Sequence, residues 1–107
     1  EDYNMSTDTI DDVKIDEKIK VEITEPVKHK VLLMNDDQTP MEWVIDILDK
    51  IFNHSQEVAE KITLQIHQDG SGVAGIYSYE VAEMKATETV TASREKGFPL
   101  NVRIEEE

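Results

Sequence analysis

Lys30 to Val44, K-V-L-L-M-N-D-D-Q-T-P-M-E-W-V, joins an apolar run to a polar loop and then to a helix start. Val31, Leu32, Leu33 and Met34 suit a buried strand. Asn35, Asp36 and Asp37 suit a turn, because short polar side chains bond the nearby backbone. Thr39-Pro40-Met41-Glu42 has the features of a helix N-terminus. Thr39 can cap, Pro40 at the first helical position gives up an N–H that would be unpaired anyway, and Glu42 can bond back to the N–H of Thr39. A strand and a helix therefore pin both ends of the loop and hold its three polar side chains in one backbone frame.

Downstream, Met41, Val44, Ile45, Leu48 and Phe52 follow the i, i+3, i+4, i+7 spacing of one helical face, widened by Trp43, Ile47 and Ile51. That helix ends near Asn53-His54, and Ser55 can cap a second one with Glu57 in its first turn. The second stripe is Val58 or Ala59, Ile62 and Ile66, while Thr63, Leu64 and His67 adjoin one another on a neighbouring face. Gly70-Ser71-Gly72 stops this helix, and Val73 to Tyr77 reads as a short strand. Ser78 caps a third helix with Val81, Met84 and Ala92 inward. Its second half (Thr87, Thr89, Val90, Thr91) has weak helix propensity. Gly97 is a helix stop, Phe98-Pro99 turns the chain, and Leu100 to Ile104 alternates with the period of a strand. The order β-α-α-β-α-β predicts an α+β fold, a small sandwich of a three-stranded antiparallel sheet with three helices on one face.

Upstream, residues 1–27 carry scattered acids and no sustained apolar period, which predicts a flexible acidic N-terminal extension ahead of a core domain over residues 28–107. The extension is either inert or an arm for a partner. At 107 residues the chain is one small domain, and its formal charge of -13 opposes nucleic acid and anionic membranes. Solubility or a basic partner remains. With no cysteine, disulfides, a thiol nucleophile and thiolate metal sites are all excluded. The lack of cysteine fits a cytoplasmic protein, and nothing suggests more than a monomer; no apolar run approaches the roughly 18 residues that span a bilayer, and no signal-peptide pattern opens the chain.

The chemistry-bearing candidates are Asn35-Asp36-Asp37, Thr39 and His67. Each has a plainer reading: a turn whose side chains bond their own backbone, and a histidine that caps a helix or faces solvent. An Asp-Asp pair supplies few metal ligands and lacks the glycine and terminal glutamate of a calcium loop, so no metal or other cofactor is expected. A hydrolase would need a nucleophile or carboxyl pair set in a cleft, and no serine here has a motif around it. No catalytic residue is assigned.

Taken together, the run Val31 to Val44, His67 before a glycine-bearing turn, Glu80-Val81-Ala82-Glu83-Met84-Lys85, and Pro99-Leu100 resemble the ClpS family, adaptors of the bacterial Clp protease. The resemblance covers residues from about 28 to 106. It implies recognition of N-degrons, substrate proteins with a bulky apolar first residue (Leu, Phe, Tyr or Trp), and their delivery to the N-terminal domain of a ClpA-type unfoldase. Asn35, Asp37 and His67 would accept hydrogen bonds from the α-ammonium, with Asp36 adding field or a water-mediated contact. Met41, Val44, Thr63, Leu64 and Leu100 would line the side-chain pocket, with Thr39 at its mouth. Met41 would be the gate that rejects β-branched Ile and Val. Thr63 departs from the family, which often carries Met there, so the pocket should be larger. Glu80 and Lys85 match the unfoldase contact and are expected to form one patch. The alternative is a peptide or protein interaction module of the same fold without N-degron specificity.

Overall fold

The computed structural model describes residues 26–107 and contains β1 (Lys28–Met34), α1 (Met41–Lys50), α2 (Gln56–Asp69), β2 (Ser71–Ser78), α3 (Tyr79–Glu95) and β3 (Asn101–Glu106). Almost all of the expected N-terminal extension, residues 1–25, lies outside the described residues. The sheet order is β2-β1-β3 and both pairings are antiparallel. The opening apolar run is thus the central strand, and Val31 and Leu33 are wholly buried beside Leu48, Leu100, Ala59, Ala74 and Ala82.

The head of α1 departs from expectation. Pro40 itself occupies the cap (φ -65°, ψ 144°), with no capping side chain. The Thr39 hydroxyl instead donates to Asp36 Oδ2 at 2.7 Å, so it serves the loop and not the helix. The expected Glu42 back-bond is likewise not made. α1 stops at Lys50, and Phe52 reaches the core from the following turn, where Asn53 takes a positive φ of 61°.

Ser55 and Ser78 do cap their helices, accepting from the Val58 and Val81 amides at 3.2 and 3.5 Å. Gly70 ends α2 in the left-handed conformation (φ 91°), which favours glycine. β2 begins directly afterwards at Ser71, earlier than the expected Val73. A register shift between Val31 and Leu32 leaves Ala74 as the extra residue of a bulge. A ring nitrogen of His54 donates to its carbonyl.

The phase of α3 also differs. Ala82, Thr89 and Ser93 are buried, while Met84 is 61% exposed and Val81 and Ala92 are half-buried. α3 packs over all three strands, where small side chains let backbones approach. The hydroxyls are satisfied locally: Thr89 donates to Lys85 O at 2.8 Å, and Ser93 accepts from Trp43 Nε1 at 2.9 Å. Packing therefore overrides the weak propensity of this stretch, which stays helical to Glu95. The helix closes with paired bonds from Gly97 N to Arg94 O and from Phe98 N to Ser93 O, both 2.9 Å.

Lys85 is a structural staple. Its ammonium donates to Ile51 O at 2.7 Å, at the C-terminal end of α1, and lies 5.9 Å and 5.4 Å from the Phe52 and Tyr77 ring centres. A cation at a helix C-terminus meets its partial negative charge. Lys85→Ala is expected to cost about 1–3 kcal/mol of stability. Lys85→Met, which keeps the stem, should recover part of that loss in thermal denaturation.

Candidate functional site

The loop after β1 is organised by Asp36. Its Oδ1 accepts from the Gln38 and Thr39 amides at 2.8 and 2.7 Å, and its Oδ2 accepts from the Thr39 hydroxyl. Burial pushes this carboxyl up, but those hydrogen bonds, with the charge of Arg94, outweigh it and hold Asp36 below the ordinary aspartate range. The anion is thus engaged by its own loop. Asp37 and Asn35 carry no such bonds among the described residues, and both are exposed. Asn35 N donates to Gly70 O at 2.9 Å, tying the start of the loop to the end of α2, one turn beyond His67.

This tie closes a cavity of about 240 Å³ between the loop, the α1 N-terminus and the last turns of α2. Its lining is Met34, Asn35, Asp36, Asp37, Thr39, Met41, Val44, Thr63, Ile66, His67 and Leu100. Acceptor-bearing side chains come from the loop and from His67 on α2, and apolar ones make up the rest. The volume lies below the roughly 300–1,000 Å³ of small-molecule sites. It is the scale of a single residue's side chain. A larger hollow of about 600 Å³ runs along α1 by Trp43 and Phe98, but it is a wide, open trough.

Of the residues assigned to the site from sequence, the cavity gathers all but Leu64, which is 49% exposed and takes no part in the lining. Ile66 takes the place expected for Leu64. Three positions beyond Thr63 on the buried stripe of α2, it reads from sequence as core alone, though its place on the stripe beside His67 is a signal for the lining as well. Met34, the last residue of β1, was likewise missed. Thr63 is buried at 3% exposure, and its hydroxyl donates to Ala59 O at 2.8 Å. Its polar atom is therefore spent on the helix backbone, in keeping with an apolar wall. Met41 is 46% exposed at the rim.

Glu80 lines a shallow hollow with Glu83, Met84, Thr87 and Glu88, whereas the Lys85 ammonium is turned to the end of α1. Among the described residues, no helix is long and apolar enough to cross a membrane.

Comparison with known proteins places this geometry. Residues 24–103 match the family model for the ATP-dependent Clp protease adaptor protein ClpS. The ClpS adapter of Caulobacter vibrioides strain NA1000 is 41% identical over 90 residues, covering 84% of this chain and 83% of its own length. That of Maricaulis maris is 46% identical over 82 residues, covering 77% and 75%. The solved structure of Agrobacterium tumefaciens ClpS2 bound to L-phenylalaninamide is 36% identical, with a TM-score of 0.75 over 78% of this chain and all of that one. The chain thus belongs to the ClpS family of Clp protease adaptors, proteins that serve proteolysis without being enzymes themselves.

Proposed function

We propose that this adaptor captures the free N-terminus of substrate proteins that begin with a bulky hydrophobic residue, Leu, Phe, Tyr or Trp, and delivers them to a ClpA-type unfoldase. It works as a cytoplasmic monomer against the unfoldase's N-terminal domain. The observation that carries the reading is the juxtaposition, in one side-chain-sized cavity, of acceptors on Asn35, Asp37 and His67 with the apolar wall of Met41, Val44, Thr63, Ile66 and Leu100. An α-ammonium, with a pKa of about 7.7–8.0, offers three donors and a charge at neutral pH. A cradle for it must consist of acceptors, and a neutral imidazole, an amide oxygen and a carboxylate supply them. The Agrobacterium tumefaciens relative bound to L-phenylalaninamide supports the same occupancy, since that ligand joins an α-amino group to an aromatic side chain.

Burying a Leu or Phe side chain contributes about 1.5–3 kcal/mol, and each hydrogen bond to a charged group about 1.5–3. Only the pocket and the bonds together can exceed the cost of association. Neither half suffices alone, so the adaptor reads ammonium and side chain jointly. Asp36, engaged by its loop, contributes field and shape. Asp37→Ala and His67→Ala should each weaken binding of a Leu-initiated peptide by about tenfold to a hundredfold, as expected for one lost bond to a charged group. Circular dichroism should stay unchanged. Normal binding by both variants would refute the assignment.

A further inference from the structure

Leu100 forms part of the cavity wall at 1% exposure, yet it stands outside the sheet ladder, which begins one residue later with Asn101 opposite Met34. Pro99 before it has no N–H to donate. The segment Phe98-Pro99-Leu100 thus reaches the cavity without strand pairing to fix it. Arg94, in the last turn of α3, supplies the missing anchor. Its Nη1 donates to Phe98 O at 2.8 Å and to Leu100 O at 2.9 Å, the carbonyls on either side of Pro99. A guanidinium suits this task, being permanently charged, planar and free of acceptors that would compete. Arg94 is not part of the cavity lining.

We propose that Arg94 is a positioning residue for this site: by clamping the Phe98 and Leu100 carbonyls it sets where the Leu100 side chain stands in the pocket, and so governs side-chain recognition without touching the ligand. The same guanidinium makes a minor contribution to keeping Asp36 ionised. The inference rests on the pocket being the seat of the substrate's first residue, and it adds a determinant outside that pocket.

The test is a double-mutant cycle on the full chain with labelled peptides beginning in Leu, paired with methyl NMR of the ligand-free protein. Arg94→Ala alone should weaken binding about tenfold, but by less than about twofold in the Leu100→Ala background, because residues acting through one another are not additive. In the free protein, Arg94→Ala should shift and broaden the Leu100 methyl resonances and leave those of Leu33 in place. Equal tenfold losses in both backgrounds, or unmoved Leu100 methyls, would overturn the proposal. A wild-type protein that binds no peptide would instead defeat the pocket reading, and the methyl spectra of the free protein would still decide whether Arg94 places Leu100.

Discussion

Asp36→Ala is expected to unlatch the recognition loop. The substitution removes the acceptor of three hydrogen bonds, from Gln38 N, Thr39 N and the Thr39 hydroxyl, all within 2.8 Å. It leaves the Thr39 amide without a partner immediately before the rigid Pro40. The part-exposed setting discounts each bond, so the loss of stability should be about 1–3 kcal/mol in all. Binding should suffer more. A loop that is no longer ordered beforehand must be ordered by the ligand, at roughly 1–2 kcal/mol per residue fixed, which predicts at least about a tenfold loss of affinity. Amide exchange at Gln38 and Thr39 should accelerate while that of Val31 and Leu33 does not. Unchanged exchange at Gln38 would refute this role. The acid response has a definite sign. Because the folded state holds Asp36 below its ordinary value, its contribution is complete above about pH 4 and disappears as pH falls through the lowered folded value. Loop opening by Asp36 protonation should therefore appear only below the ordinary aspartate range.

Gly72→Val is the second large effect. Gly72 is buried in β2, and a Cβ there would lie 2.8 Å from Ile66 Cγ1 and 3.4 Å from Ile62 O. The isoleucine is stiff at χ1, and Ile62 meets the new atom with its backbone oxygen as well as its side chain, so neither yields cheaply. The added side chain must lift the last turns of α2 from the sheet. Such overpacking costs typically about 1–3 kcal/mol, and valine, with two further methyls, should reach the upper end. Those turns carry Ile66 and His67, so both walls of the cavity should move together. Peptide affinity should drop even at temperatures where the variant remains folded. A folded Gly72→Val protein with wild-type affinity would show that the height of α2 does not set the site.

Element order was legible in the sequence because it rests on local signals, whereas the pocket lining was implied by the resemblance to ClpS. The apolar run, the Asn-Asp-Asp turn and proline at the helix start each have one physical meaning, and Ser55, Ser78 and Gly97 punctuate the rest. What was not legible depends on tertiary packing. Thr39 reads as a helix cap by type and position, but the nearby Asp36 carboxylate takes its hydroxyl. Met84 reads as core because it is large and apolar, yet the sheet accepts only small residues beneath α3, so Ala82, Thr89 and Ser93 face inward. Leu64 reads as pocket lining beside His67, but the helical phase points Ile66 there instead. Lys85 reads, from the resemblance, as part of an unfoldase contact, and only its approach to Ile51 O reveals a structural role as well.

The central claim is that ammonium and side chain are read together in one cavity, and fluorescence anisotropy tests it most directly. Labelled peptides beginning with Leu, Phe, Tyr, Trp or Ile would be titrated beside an N-acetylated Leu peptide. Free bulky N-termini should bind at roughly micromolar concentration. The Ile peptide should be rejected by Met41, and acetylation, which removes the charge and its donors, should weaken binding by at least about a hundredfold. Equal binding of acetylated and free Leu peptides, by a demonstrably folded protein, would contradict the account.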